Sequence, residues 1–141
     1  MLEVNNIEVA YDELQVLFGL SLSVQAGEIL CLLGRNGAGK TTTLKSIMGL
    51  LPLRSGSITL AGESISSLPA HEIPKRGIAY VPQGRGLFSE LTVAQNLEVG
   101  LMVRNSPALV RDHALSLFPR LKERLRPVSY THLTLPTIYS V

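Results

Sequence analysis

Residues 34–42 read Gly34-Arg35-Asn36-Gly37-Ala38-Gly39-Lys40-Thr41-Thr42, and this stretch decides the fold. Its first eight residues match the pattern G-x-x-x-x-G-K-[ST], in which glycines let the backbone curl so that several N–H groups point at phosphate oxygens. Lys40 offers a positive charge to the β and γ phosphates, and the Thr41 hydroxyl is a hard oxygen ligand suited to Mg²⁺. A helix beginning here adds the positive end of its dipole. The stretch, called the phosphate loop below, therefore predicts a nucleotide site.

The segments on both sides of the phosphate loop fit a strand–loop–helix arrangement. Residues 29–33 are apolar without alternation, as expected of a strand covered on both faces. A helix is predicted over 40–48, ended by Gly49 and Pro52. Farther out, the hydrophobic pattern predicts other elements: strands at 2–9 (with an irregularity at 5–6), 20–24, 57–60, 64–65 and 78–81, and helices at 70–76, 93–102 and 107–126. This mixture indicates an α/β protein.

The composition excludes several classes of protein. The chain has 141 residues, a net charge of +2 and 45% hydrophobic residues, which suits one globular domain and gives no indication of a nucleic-acid partner. Cys31, the single cysteine, excludes a disulfide framework and is predicted to be a small buried residue. His71 and His113 have no partner at metal-ligand or triad spacing. Neither a signal peptide nor a run of ~18 apolar residues is visible, so a soluble chain is expected.

Residues 127–141 differ from the rest of the chain. All 13 basic and 11 acidic residues lie in 1–126, whereas PVSYTHLTLPTIYSV contains none. Residues 128–137 can be encoded as GTC TCT TAT ACA CAT CTG ACG CTG CCG ACG, which resembles a transposase adapter used in DNA sequencing. A polar strand or a disordered tail is the alternative. We predict that 1–126 are the N-terminal part of a nucleotide-binding domain and that 127–141 are an artefactual tail.

The residues around the phosphate loop resemble the ATP-binding subunits of ABC transporters. The N-G-A-G-K centre of the loop carries this resemblance, together with Gly27-Glu28-Ile29, Gly49-Leu50-Leu51-Pro52, Ser55-Gly56-Ser57-Ile58 and Tyr80-Val81-Pro82-Gln83. A second set of motifs narrows the resemblance to the ATP-binding subunits of branched-chain amino acid transporters. These motifs are Gly84-Arg85, Leu87-Phe88, Leu91-Thr92-Val93 and Asn96-Leu97. The subunits of urea transporters are a close alternative. The resemblance covers residues 1–126.

The resemblance implies a fold and a set of binding residues. The fold is the N-terminal part of an ABC-type P-loop NTPase, incomplete here, with an antiparallel β subdomain and a mostly parallel core sheet covered by helices. ATP and Mg²⁺ are the implied cofactors. Tyr11 is expected to stack on adenine, with packing at a strand end as the alternative. Gln83 and Thr41 are expected to bind Mg²⁺, and Gln83 is also expected to contact the attacking water. The alternative is that Gln83 is only a turn residue.

The resemblance also implies partners and a location. Membrane-spanning permease subunits are expected to dock on an apolar groove formed by Phe88, Leu91 and Val93, although core packing explains Leu91 and Val93 equally well. A second ATP-binding subunit is expected in a dimer. The expected location is cytoplasmic, on the inner face of the cell membrane through the permease.

The implied function is an ATPase that couples ATP binding and hydrolysis to import of branched-chain amino acids. The sequence contains no LSGGQ-like signature, no second acidic strand ending in Asp-Glu and no switch histidine, which the family places after a helix like 107–126. Hydrolysis depends on such groups, so for the fragment itself the alternative is a non-hydrolysing, partial nucleotide-binding module. A urea or amide importer is the other alternative. A soluble ABC protein of DNA repair or translation, a kinase or a GTPase fits less well.

Overall fold

The computed structural model describes residues 1–84 and 86–126, and the chain divides into two compact units, Met1–Tyr80 and Val81–Val141. The predicted tail at 127–141 lies outside the described residues and stays a prediction. Among the residues described, no helix is both long and apolar enough to cross a membrane.

The first unit contains a four-stranded antiparallel sheet. The strands are β1 (Leu2–Tyr11), β2 (Leu14–Val24), β3 (Ser55–Leu60) and β4 (Glu63–Ser64), in the order β2-β1-β3-β4. Every adjacent pair is antiparallel, which confirms the predicted antiparallel β subdomain. The hairpin of β1 and β2 is longer than the pattern predicted, because β2 begins at Leu14 rather than at residue 20.

The predicted irregularity in β1 is a bulge at Asn6. The register of β1 shifts there against both β2 and β3, and Asn6 has a left-handed backbone with φ 48°. Its N–H donates to the Ser21 hydroxyl of β2 over 2.8 Å. A Cβ at Gly19 would lie 2.7 Å from Asn6 Oδ1, and a Cβ at Gly56 would overlap the Asn6 carbonyl oxygen. Two glycines on the flanking strands therefore make room for the bulge.

Helix α1 (Lys40–Ile47) packs against this sheet directly after the phosphate loop. Gly49 follows two residues after the last residue of α1, and its φ of 65° suits the end of a helix. A Cβ at Gly49 would lie 3.0 Å from the Leu68 carbonyl oxygen. The core of the unit consists of buried aliphatic side chains: Val4, Ile7, Val9, Leu17, Ile47, Met48, Ile58, Ile65 and Ile73. This core fixes α1, and with it the loop, relative to the β1–β2 hairpin.

Two segments predicted to be buried strands do not form strands in the described part of the chain. Residues 29–33 and 78–81 carry no ladder, and Ile29, Leu33 and Val81 are 91%, 92% and 80% exposed. The prediction of a buried Cys31 is likewise wrong, since this residue is exposed. An apolar strand becomes buried only where neighbouring strands pair with it and helices cover it. The antiparallel sheet described above includes neither segment.

The predicted helix at 70–76 is also reduced, to a 3-10 helix at Pro74–Arg76. Pro74 has no N–H to donate to the preceding turn, so a regular α-helix through this position is disfavoured.

The second unit is helical over its described residues. It contains α2 (Val93–Met102), α3 (Ala108–Leu117) and α4 (Pro119–Glu123). The predicted start of α2 is confirmed: the Thr92 hydroxyl accepts from the Gln95 N–H, and the Gln95 side chain accepts from the Thr92 N–H. The single helix predicted over 107–126 is wrong, because Pro119 forces Phe118 out of the helical region and divides it.

Candidate nucleotide-binding site

The phosphate loop follows a tight path that two glycines make possible. Gly37 and Gly39 have φ of 84° and 88°, which other residues rarely adopt. Between them, the Ala38 N–H donates to the Arg35 carbonyl over 3.1 Å and closes a turn. A Cβ at Gly39 would lie 2.6 Å from the Leu17 side chain, so the end of the loop packs directly on β2.

The side chain of Lys40 lies back over the phosphate loop. Its Nζ donates to the carbonyl oxygens of Gly34 and Arg35, over 2.6 and 2.8 Å. The ammonium group therefore lies against the first two residues of the loop. Phosphate oxygens are charged acceptors and make stronger hydrogen bonds with an ammonium group than neutral carbonyls do. The contact of Lys40 with a phosphate group stays a prediction.

Three successive threonines at the start of α1 have different surroundings. Thr42 and Thr43 are buried, and the Thr43 hydroxyl donates to the Gly39 carbonyl over 2.9 Å. The Ser46 hydroxyl likewise donates to the Thr42 carbonyl over 2.9 Å. Thr41 is exposed, and its hydroxyl makes no hydrogen bond to another residue in the described ranges. Thr41 is therefore the threonine whose oxygen is available to a ligand.

This arrangement fits the magnesium ion expected at such a loop. The described residues contain no cluster of three or more His, Cys, Asp or Glu side chains able to hold a metal. Mg²⁺ is commonly bound by one or two protein oxygens together with water and substrate phosphates, rather than by a complete protein cage. The exposed hydroxyl of Thr41, directly after the phosphate loop, is compatible with this pattern.

Tyr11 is the last residue of β1 and pairs with Leu14 across the β1–β2 hairpin. Three residues along β2, Leu17 lies against Gly39 at the end of the phosphate loop. At a strand rise of ~3.3 Å per residue, this offset is roughly 10 Å along the strand. Tyr11 is 40% exposed, so part of its ring is open to a ligand. The fold thus brings the expected adenine-stacking residue to the end of the sheet that carries the loop.

Gln83 lies in the second unit, in an exposed turn between Pro82 and Gly84, whose φ is 91°. Its approach to Thr41 and Mg²⁺ stays a prediction. Of the three residues expected to accept a permease helix, Phe88 is 56% exposed and Leu91 is half-buried. Val93 is buried, with 5% exposure, which favours the packing alternative for this residue.

Asn96 holds the segment that presents Phe88, a role that was not predicted from the sequence. Its side-chain Oδ1 accepts from the Phe88 N–H over 3.0 Å, and its Nδ2 lies 3.0 Å from the Phe88 carbonyl and 3.1 Å from that of Thr92. The Leu91 carbonyl lies within 3.3 Å of the same nitrogen. A single amide therefore ties residues 88–92 to the first turn of α2.

The hairpin, the phosphate loop and α1 define a nucleotide-binding protein of the P-loop class. The family model described as "ABC transporter" matches residues 17–135, and the chain belongs to this family.

Curated relatives agree with this assignment. The chain is 42% identical over 126 residues to the "High-affinity branched-chain amino acid transport ATP-binding protein BraG" of Pseudomonas aeruginosa, an alignment that covers 88% of the chain and 54% of the relative. It is 42% identical over 104 residues to the "Lipopolysaccharide export system ATP-binding protein LptB" of Escherichia coli, covering 74% and 43%. The chain spans about half the length of the curated relatives it matches.

Solved structures confirm the fold class. A structure described as "Structure of ATP binding subunit of ABC transporter" superposes with a TM-score of 0.82 at 30% identity, covering 94% of this chain and 56% of that one. A dimeric, post-hydrolysis ATP-binding cassette bound to ADP and Pi superposes with a TM-score of 0.65 at 26% identity, covering 74% and 48%. The chain therefore has the fold of the N-terminal part of an ABC ATPase.

Proposed function

We propose that the chain is the nucleotide-binding part of an ABC importer's ATP-binding subunit. ATP is held with its phosphates in the phosphate loop and its adenine against Tyr11. The observation that carries this proposal is the position of Lys40, whose ammonium group lies against the first two residues of the loop directly before α1. The N-terminus of α1 adds a favourable dipole at the same point.

Each part of the site has a distinct role in this proposal. The loop N–H groups and Lys40 bind and orient the phosphates, and the Thr41 hydroxyl holds the accompanying cation. Mg²⁺, when bound, neutralises charge on the β and γ phosphates. Gln83 orients the attacking water in the intact parent protein. The described positions of Lys40 and Thr41 support the first two roles, and the resemblance around 80–83 supports the last.

The intact parent is proposed to couple ATP hydrolysis to import of branched-chain amino acids. The printed function of the Pseudomonas relative and that of an Archaeoglobus fulgidus relative, 39% identical over 124 residues, support this substrate class. Permease subunits would dock near the exposed Phe88, and a second ATP-binding subunit would complete a dimer on the cytoplasmic face of the membrane. The dimeric cassette among the solved structures supports the dimer.

A different cargo is the second candidate. The relative named for lipopolysaccharide export has the same percentage identity, although its alignment covers less of the chain. A urea or amide importer remains the alternative from the sequence motifs. Uptake of labelled leucine and of labelled urea by cells that carry or lack the intact parent locus distinguishes the two import candidates from each other. Loss of urea uptake with normal leucine uptake would contradict the branched-chain assignment.

The chain by itself is proposed to bind nucleotide without turning it over. Residues 1–126 contain the phosphate-binding half of the site. No signature-like sequence occurs among the 141 residues, and the one Asp-Glu pair, Asp12-Glu13, lies in the turn after β1, before the phosphate loop. Both groups contribute to hydrolysis in the family that the chain resembles. Phosphate release by the purified chain should therefore stay at the background rate.

Titration of the purified chain with ATP and MgCl₂ tests the proposed site. We expect Lys40→Ala to lose most of the affinity, because it removes the charge that the β and γ phosphates contact. Lys45→Ala is the matched control, since Lys45 lies on the same helix but outside the loop. Equal affinity of the wild-type chain and Lys40→Ala would refute the proposed site.

A further inference from the structure

Arg54 donates hydrogen bonds to the backbone on both sides of Tyr11. Its backbone N–H donates to the Glu8 carbonyl over 2.8 Å, three residues before Tyr11. Its guanidinium Nη2 donates to the carbonyl of Asp12, the residue immediately after Tyr11, although the two residues are 42 positions apart in the sequence. One residue therefore spans the end of the strand that carries the tyrosine.

The turn held by Arg54 connects the paired residues Tyr11 and Leu14 at one end of the hairpin. Asp12 has a left-handed backbone with φ 51°, a conformation that is uncommon outside glycine. The residues around it are open to solvent, with Tyr11 40% and Leu14 71% exposed. Because this end of the hairpin is partly open to solvent, the backbone of the turn contributes to the direction of the Tyr11 ring.

We propose that Arg54 is a positioning residue for Tyr11, and that it orients the ring for the adenine of ATP by holding the Asp12 carbonyl. The guanidinium group carries its N–H donors in a planar, rigid fork, which suits a fixed hydrogen bond to a backbone carbonyl. This inference rests on the proposed function, since it assumes that ATP binds with its phosphates at Lys40.

The test compares two ligands on the purified chain. ATP contacts both the phosphate loop and Tyr11, whereas inorganic tripolyphosphate contacts the loop alone. Arg54→Ala should weaken ATP binding roughly fivefold, the effect of losing one hydrogen bond of ordinary strength, and should leave tripolyphosphate affinity unchanged. Arg54→Lys, which keeps a cationic donor, should recover part of the ATP affinity.

Two further variants sharpen the comparison. Tyr11→Ala should show the same ligand pattern as Arg54→Ala, and the double variant should lose no more ATP affinity than Tyr11→Ala alone. Arg76→Ala is the matched control, because Arg76 is an exposed arginine of the same unit that pairs with Glu63 instead. It should bind both ligands like the wild-type chain.

The possible failures separate the inference from the proposed function. Binding of tripolyphosphate that Lys40→Ala abolishes, with ATP affinity unchanged in Arg54→Ala, overturns the inference alone. Equal loss of both ligands in Arg54→Ala also overturns it, since Arg54 would then act on the phosphates or on the fold. Additive losses in the double variant overturn it as well. If neither ligand binds the wild-type chain, or if binding survives Lys40→Ala, the proposed function and the inference fail together.

Discussion

At the scale of single residues, two glycines of the phosphate loop share a backbone conformation but differ in their neighbours. Gly37 and Gly39 both have φ near 85°, at 84° and 88°. A Cβ at Gly37 would meet nothing within 4 Å, whereas a Cβ at Gly39 would lie 2.6 Å from the buried Leu17. The loop therefore needs conformational freedom at the first position and both freedom and space at the second.

This difference predicts unequal effects on stability. Gly37→Ala should lower the free energy of unfolding by about 1 kcal/mol, the usual cost of a left-handed non-glycine residue. Gly39→Ala should cost about 1–3 kcal/mol more, because the new methyl group crowds Leu17 in a packed core. Urea denaturation of the two variants measures the difference. Equal midpoints would show that the junction between the loop and β2 is loosely packed.

Substitutions of two threonines in α1 are expected to affect ATP binding and protein stability separately. Thr41→Val should weaken ATP binding in the presence of Mg²⁺ and have little effect without it, because the exposed hydroxyl is the proposed ligand. Thr43→Val should keep the Mg²⁺ dependence and lower the free energy of unfolding by about 1 kcal/mol, because it loses the bond to the Gly39 carbonyl. Titrations with MgCl₂ or with EDTA, alongside denaturation, measure both. Mg²⁺-independent loss of affinity in Thr41→Val would contradict the assignment.

At the scale of secondary-structure elements, two separate sets of hydrogen bonds stabilise the start of α2. The capping box of Thr92 secures the first turn, and Asn96 secures the segment before it. Thr92→Ala should speed amide exchange at Gln95, and Asn96→Ala should speed exchange at Phe88, each by about fivefold for the loss of ~1 kcal/mol of local protection. Each variant is the control for the other in a hydrogen-exchange experiment. Faster exchange at both amides in both variants would show that the two sets act as one.

The same elements show which features the sequence could reveal. The start of α2 was predicted correctly because a capping box is contained within four successive residues. The bulge in β1 was predicted from Asn5 and Asn6. The prediction of strands at 29–33 and 78–81 was wrong. An apolar pattern indicates that a segment suits a buried environment, but a strand also needs a neighbouring strand to pair with. Arg54 and Asn96 were missed because they bond to backbone groups, which every residue carries, and the partners of Arg54 lie far away in the sequence.

At the scale of the whole molecule, two apolar segments remain open to solvent. Ile29, Leu33 and Val81 expose most of their side chains. Unpaired apolar strand-forming segments favour association between chains. The purified chain should therefore aggregate as its concentration rises, and Ile29→Ser/Leu33→Ser should reduce this, as measured by light scattering. Glu3→Ser/Glu8→Ser on β1 is a control that leaves these segments intact. A wild-type chain that stays monomeric at high concentration would contradict the prediction.

The bulge at Asn6 also has a consequence for inheritance. The Asn6 carbonyl leaves no room for a Cβ at position 56, and at position 19 the Asn6 side chain would have to shift for a Cβ, where φ is 71°. A mutation that replaces either glycine is therefore tolerated only in a lineage that has already lost the bulge, so the three sites cannot drift separately. In an alignment of related chains, glycine at 19 and 56 should accompany the extra residue in β1, and both glycines should become variable where that residue is deleted.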